Sequence, residues 1–293
     1  MDWQIQLITL YEMVCKYYQE ELWVHCQRFS PHCDLSFTDE EVITLFLFGI
    51  ISKHGQIQTI YNEADRHLRD WFPRLPSYAG FVQRVNRVSD VFAPLVEILS
   101  ARDAISGDWL LDSQPIIVAQ QGRSFKARVA PEYASRGYCA SKKLYYYGVK
   151  LHVLGQQQIG SLPFPDYIGI TPAGENDGKV LENLLPYLPE NRAYGDKAYE
   201  YLKPLAAVRG IELLTPIKRA KGQEYLDVTD QWLSRAVSQV RQPIESLFNW
   251  INEQTGIQKA SKVRSSSGLL VHVFGRLAAA LFMLVFPEIF CSA

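Results

Sequence analysis

Trp109-Leu110-Leu111-Asp112-Ser113 is an apolar run that contains one carboxylate. The run opens the segment Leu110–Val118, whose aliphatic and β-branched residues predict a strand. A carboxylate on an apolar segment costs free energy unless it is paired, hydrogen-bonded or bound to a metal ion. Asp112 is therefore the first candidate functional residue.

Two more carboxylates stand in distinctive contexts. A short predicted strand leads into Tyr194-Gly195-Asp196-Lys197-Ala198-Tyr199, and a predicted helix carries Arg241-Gln242-Pro243-Ile244-Glu245-Ser246-Leu247-Phe248. Three carboxylates in one place repel each other, and a divalent cation is the usual reason to tolerate them. Oxygen ligands without a Cys or His cluster favour Mg²⁺, or Mn²⁺, over Zn²⁺. On spacing alone, however, the alternative that each acid caps a helix or faces water is the stronger one.

Strands and helices alternate in the middle of the chain. Tyr145–Leu154, Tyr167–Thr171 and Ile211–Ile217 are rich in aromatic and β-branched residues, which predicts three further strands. Asn176-Asp177 is a typical helix start. An interior proline removes a helix hydrogen bond, so Pro243 predicts a kink or a new helix start.

Both ends of the chain have a helical pattern, because their apolar residues recur at steps of three and four. Thr38 and Glu41 form a capping-box pattern, and Ser77 precedes another helical stretch. We therefore predict an α/β fold: a mixed sheet flanked by helices and preceded by an all-helical N-terminal region. The expected boundaries are residues 1–104, 105–260 and 261–293.

The last region contains Gly268–Phe286, which is marginally long enough to cross a bilayer. His272 and Arg276 lie within it, and ionisable residues are rare in membrane spans. We expect a buried C-terminal helix that packs on the middle domain, and no membrane partner.

Charge is unevenly distributed, although the net charge of −1 gives no global indication of nucleic acid. Acidic residues predominate before Ile50, whereas residues 123–150 contain seven basic side chains and one acid, Glu132. The basic residues are Arg123, Lys126, Arg128, Arg136, Lys142, Lys143 and Lys150. The interleaved aromatic residues are Phe125, Tyr133, Tyr138, Tyr145, Tyr146 and Tyr147. Cations neutralise phosphates and aromatic rings stack on exposed bases, so this pattern is typical of DNA contact.

Within this basic stretch we expect Arg136, Lys142 and Lys143 to contact DNA, and most of the tyrosines to pack in the core. Lys150 and His152 alternate onto one strand face. They either approach the site, or His152 is a partly buried histidine with satisfied hydrogen bonds.

The three acidic segments resemble the motifs of bacterial insertion-sequence transposases of the DDE class. Gly137-Tyr138-Cys139-Ala140-Ser141-Lys142-Lys143, followed by Tyr147-Gly148-Val149-Lys150-Leu151-His152, resembles the family's segment between its first two acids. The likeness covers about residues 105–255 and has all four motifs in the family's order. One branch of the family also carries a tyrosine before the arginine and a lysine after the glutamate, where this chain has Ser238 and Asn252.

The resemblance implies an RNase H-like domain that cuts the phosphodiester at transposon ends and joins the freed 3′-hydroxyl to target DNA. It makes Asp112, Asp196 and Glu245 the catalytic acids and the ligands of two Mg²⁺ ions, with Mn²⁺ as the alternative. It also implies DNA contacts from Lys150, Lys197 and Arg241, the last of which shares a helix face with Glu245. Two alternatives remain open: a relative that binds DNA without cutting it, and a metal-dependent DNA nuclease.

The expected partners are the double-stranded DNA of transposon ends and target, and a second copy of the chain. Five cysteines form no CxxC pair, which favours a reduced, cytoplasmic and nucleoid-associated setting. The spacing of His25, Cys26, His32 and Cys33 matches no standard zinc site. The helical N-terminal region is therefore expected to bind DNA ends or to mediate dimerisation.

Overall fold

The computed structural model describes residues 2–28, 35–101, 107–219 and 222–291. The chain divides into a helical unit, Met1–Leu99 with Ile251–Ala293, and a mixed unit, Ser100–Trp250. His32 and Cys33, which we considered as zinc ligands, lie outside the described residues.

The helical unit begins with five α-helices: α1 Trp3–Glu20, α2 Asp39–Ile51, α3 Ile57–His67, α4 Tyr78–Arg87 and α5 Phe92–Ser100. The predicted capping box is confirmed, because Thr38 accepts the N–H of Glu41 while Glu41 accepts the N–H of Thr38. Ser77 caps α4, also as predicted. Helix α2 is buried on almost every side, the pattern of a helix at the centre of a core.

The mixed unit contains six strands: β1 Trp109–Gln120, β2 Ser135–Cys139, β3 Leu144–Gln156, β4 Phe164–Pro172, β5 Arg192–Tyr194 and β6 Glu212–Leu214. The strand order is β2-β3-β1-β5-β6. Strand β3 runs antiparallel to β1, and its other edge is shared by β2 and β4. The pairs β1–β5 and β5–β6 are parallel. The mixed sheet expected from the sequence is confirmed.

Three α-helices accompany the sheet: α6 Asp177–Leu184, α7 Lys203–Val208 and α8 Val228–Thr255. Asn176 caps α6, as predicted, by accepting the N–H of Gly178 at 2.9 Å. A 3₁₀ helix, Lys197–Leu202, connects β5 to α7. The core on this side of the sheet is formed by Trp109, Leu111, Leu154, Leu181, Leu185, Leu188, Ala193, Tyr199, Leu202, Ala206, Ile211 and Leu213.

Helix α8 continues through Pro243, so that residue does not start a new helix, and the predicted kink there stays a prediction. Buried side chains lie on both sides of the proline, at Val237, Ile244 and Leu247. Packing of this apolar stripe holds the two halves in one helix and offsets the missing hydrogen bond.

The tyrosines of the basic stretch also depart from the expectation. Tyr146 and Tyr147 are buried, but Tyr133, Tyr138 and Tyr145 are exposed. Tyr138 and Tyr145 are cross-strand partners at the edge of the described sheet, where β2 ends the strand order and leaves their rings open to solvent.

The C-terminal segment comprises α9 Ser266–Leu270, a π-helical turn Val271–Gly275, α10 Arg276–Val285 and α11 Pro287–Phe290. Ser266–Val285 has a mean hydropathy of 2.0, enough to cross a membrane by length and composition, and 67% of it is buried. We expected this segment on the middle domain, but α10 packs against α2 within the helical unit. The guanidinium of Arg276 explains this position, because it donates to the backbone oxygens of Thr255 and Gly55 in that unit.

Candidate active site

Parallel pairing of β1 with β5 aligns the two aspartates. Leu110 lies opposite Tyr194, and Asp112 and Asp196 each follow two residues later. Asp196 caps the next 3₁₀ helix, and its Oδ1 accepts the N–H of Lys197 at 2.6 Å. Both aspartates therefore stand where the short parallel ladder ends, the usual edge for functional side chains in such sheets.

Arg241 connects the third carboxylate to the first. Its Nη1 lies 3.0 Å from Oδ2 of Asp112, and its Nη2 lies 2.7 Å from Oε1 of Glu245. Glu245 follows Arg241 by one helical turn on α8, so the two side chains share a face. One guanidinium thus neutralises two of the three predicted acids.

The surroundings of Asp112 change its acidity. Burial raises its pKa to about 6, and the negative charges of Glu245 and Asp196 add to that effect. Arg241 and the N–H of Ser113, 2.8 Å from Oδ1, act in the opposite direction. The three acids are electrostatic neighbours, although they come from two strands and one helix.

Beside Asp112 lies a cavity of about 140 Å³. Its polar lining includes His152, Asp177 and Tyr199, and most of the remaining lining is aliphatic. Burial lowers the pKa of His152 to about 4, so its ring is neutral at physiological pH. Its Nε2 lies 2.8 Å from Oγ1 of Thr171, whereas its Nδ1 has no partner among the described residues.

Asp177 is the functional neighbour that sequence reasoning missed. The sequence predicted it only as part of a helix start, but Oδ2 accepts the hydroxyl of Ser113 at 3.0 Å. Its Oδ1 accepts Nζ of Lys150 at 2.7 Å, and the same ammonium donates to the carbonyl of Glu175. The side chain of Lys150, which was predicted to contact DNA, is largely buried and pairs with Asp177 at the start of α6, and its DNA contact stays a prediction. The sequence signal that could have identified Asp177 is its position in the first turn of a helix that follows a strand of the sheet.

Apart from the largely buried Arg241, the other predicted DNA contacts are exposed. Lys197 is adjacent to Asp196, so the structure brings it to the acidic cluster. Arg136 lies on β2, and Lys142 and Lys143 form the turn between β2 and β3. These three occupy a separate hairpin of the mixed unit.

A divalent cation fits the chemistry of the donor set. Asp112, Asp196 and Glu245 offer only oxygen ligands, and two of them already share a cationic partner. Across the described ranges, no three Asp, Glu, His or Cys side chains are gathered closely enough to hold a metal ion. Arg241 is the cation that Asp112 and Glu245 contact.

Comparison with known proteins identifies the family. A family model described as "Transposase DDE domain" matches residues 109–282, which is more than half of the chain. No curated protein and no solved structure gives a significant match. The match begins at the first residue of β1 and includes all three acids, and the mixed sheet with a helical N-terminal region agrees with an RNase H-like transposase fold. The chain belongs to the DDE transposase family, whose members cut DNA and generally use divalent metal ions.

Proposed function

We propose that this protein hydrolyses the phosphodiester at transposon ends and joins the freed 3′-hydroxyl to target DNA. The observation that supports the proposal best is the arrangement of the acids. The β1–β5 register aligns Asp112 with Asp196, and Arg241 joins Asp112 to Glu245. In this arrangement the carboxylates can bind divalent cations, and the guanidinium can bind a DNA phosphate.

Each side chain has a proposed role in this reaction. Asp112, Asp196 and Glu245 hold Mg²⁺, or Mn²⁺, with two ions per site. Bound ions would activate the attacking oxygen and stabilise the leaving oxygen. Arg241 orients Asp112 and Glu245, and it is the group closest to them that can bind a DNA phosphate.

Tyr199 and Gly195 determine how Asp196 is presented. A Cβ at residue 195 would lie 2.8 Å from the Tyr199 ring, so glycine lets the buried ring pack beneath the turn. Lys197, exposed beside Asp196, is proposed to contact the DNA backbone near the scissile phosphate.

Further proposals concern the rest of the chain. Arg136, Lys142 and Lys143 contact duplex DNA, and Lys150, which also pairs with Asp177, is proposed to contact it as well. The helical unit binds transposon ends or mediates dimerisation. Two ends must be held together for transposition, so we propose a homodimer on DNA, acting in the bacterial cytoplasm at the nucleoid.

The reaction products separate this proposal from its two alternatives. Purified protein is incubated with Mg²⁺, a supercoiled target plasmid and labelled DNA that carries the inverted repeats flanking the gene. Joined end–plasmid products are expected. Cleavage without joining would indicate a nuclease, and binding without cleavage would indicate a non-cutting relative.

A further inference from the structure

Four exposed side chains form a continuous surface, three of them on the β2–β3 hairpin and one, Phe125, on the 3₁₀ helix Gln121–Phe125 that follows β1. Phe125 is 69% exposed, Tyr138 51% and Tyr145 52%, and Arg136 lies among them. We call these four residues the stacking surface. Exposed aromatic rings that are grouped together mark interaction sites more often than rings that are scattered singly.

The rings of the stacking surface are held in place by Arg136. Its guanidinium carbon lies 3.6 Å from the centroid of the Phe125 ring and 4.4 Å from that of Tyr145. Cation–π contacts of this kind can hold a long arginine side chain in place without an ion pair to a carboxylate. The guanidinium therefore keeps its positive charge near the surface while it orders both rings.

Strand register completes the surface. Tyr138 on β2 pairs directly with Tyr145 on β3, and their ring centroids are 4.9 Å apart. Cross-strand partners of this kind point to the same face of a sheet. Phe125, Arg136, Tyr145 and Tyr138 thus follow one another as neighbouring flat groups.

The surrounding charge identifies the kind of partner. Exposed cations lie on the hairpin and on the segment before it, and residues 121–145 contain one acid, Glu132. The cations are Arg123, Lys126, Arg128, Arg136, Lys142 and Lys143. This charge complements a phosphate backbone, whereas an apolar or basic protein surface would gain nothing from it.

Aromatic rings add to such binding only where the faces of bases are accessible. In a duplex those faces are covered by neighbouring base pairs, and lysines and arginines on the phosphates suffice. In single strands each base can stack on an aromatic ring. We infer that the stacking surface binds unpaired bases of single-stranded DNA, such as the strand released at a cut end; the inference rests on the proposed function for its biological setting.

Direct binding tests this inference. Fluorescence anisotropy is measured in EDTA, so that no cutting occurs, with a labelled oligo-dT and with a blunt duplex of the same length. Tyr138→Leu is expected to weaken oligo-dT binding by about 5- to 150-fold, the effect of one stacked base, and to leave duplex binding unchanged. Tyr138→Phe keeps the ring and is expected to bind like the unaltered protein.

Two further variants provide controls. Tyr187, 75% exposed in the same unit, is not part of the surface, so Tyr187→Leu is expected to bind oligo-dT normally. The double change Lys142→Ala and Lys143→Ala is expected to reduce the salt dependence of binding, which Tyr138→Leu leaves intact.

The inference is overturned if the unaltered protein does not bind oligo-dT, or if Tyr138→Leu weakens duplex and single-strand binding equally. Because the assay contains no divalent metal, its outcome is independent of cleavage. If the protein binds oligo-dT through Tyr138 but never cuts DNA, the proposed function is contradicted and this inference still holds.

Discussion

At the scale of single residues, Arg241 determines the state of the acidic site. Its side chain is only 16% exposed, and its two terminal nitrogens contact different carboxylates. Removal of a partly buried cation that pairs with two acids leaves both acids without a partner, and this lowers the stability of the protein. A divalent cation would satisfy the same carboxylates.

Arg241→Gln should therefore destabilise the protein when metal is absent. We expect a loss of about 1–3 kcal/mol in unfolding free energy in EDTA, less than for a fully buried pair because Glu245 is half-exposed. Added Mn²⁺ should restore much of this loss, and should stabilise the variant more than the unaltered protein. Thermal and urea unfolding with EDTA or Mn²⁺ measure both effects.

The exposed Arg235 on the same helix is a matched control. Arg235→Gln should unfold like the unaltered protein under both conditions. If Mn²⁺ fails to stabilise Arg241→Gln more than the unaltered protein, Arg241 and the metal do not share the carboxylates.

Much of the site could be predicted because its motifs are local. Asp112, Asp196 and the Arg241–Glu245 pair each lie in a short segment with its own pattern. The contact between Arg241 and Asp112 spans two elements far apart in sequence, and no local pattern predicts it. The same reason explains why Asp177 was missed, since its partner Ser113 is 64 residues away.

At the scale of elements, the long strands and helices were predictable and the edge strand β2 was not. The segment Ser135–Cys139 contains glycine and lacks a β-branched run. Gly137 is required there, because a Cβ would lie 2.2 Å from the backbone oxygen of Ala173. The close approach of Ala173 requires glycine in β2, and glycine is uncommon inside strands, so the sequence of this segment does not indicate a strand.

One buried acid holds three segments of the helical unit together. Asp39, in the first turn of α2, is 2% exposed and contacts Arg28, at 2.6 Å, and Arg84 on α4, at 3.0 Å. Burial alone would raise the pKa of Asp39, but the two arginines outweigh it and the pKa lies below its usual value. Ionised Asp39 therefore favours the folded state.

Asp39→Asn is expected to lower the unfolding free energy by about 3–5 kcal/mol near pH 7, because two arginines lose their partner. The contribution of Asp39 is complete above its unfolded pKa of about 3.9 and is lost as the pH falls through the lower folded pKa. The difference between variant and unaltered protein should therefore shrink in acid. Urea unfolding at a series of pH values measures it.

Asp65, exposed and paired with Arg69 on the protein surface, is the control. Asp65→Asn should cost less than about 1 kcal/mol at any pH. Equal effects of the two substitutions, or a difference that does not change with pH, would contradict the role assigned to Asp39.

At the scale of the whole molecule, the family match and the structural units divide the chain differently. The match covers residues 109–282, which include most of the mixed unit and part of the helical unit's C-terminal segment. The sequence predicted a boundary near residue 260, whereas the units divide within α8, between Trp250 and Ile251. A continuous helix leaves no change of composition at that point, so sequence alone could not locate the division.

The central claim is that Asp112, Asp196 and Glu245 act together as the cutting site. The most direct test is the Mg²⁺-dependent cleavage rate of DNA carrying the transposon ends, measured for Asp112→Asn, Asp196→Asn and Glu245→Gln. Glu182→Gln, at an exposed acid on α6, is the control, and DNA binding and thermal unfolding confirm that each variant is folded. We expect each of the three changes to slow cleavage by at least about 100-fold with DNA binding retained, and the control to cut normally. Cleavage at the unaltered rate by any of the three variants would contradict the account.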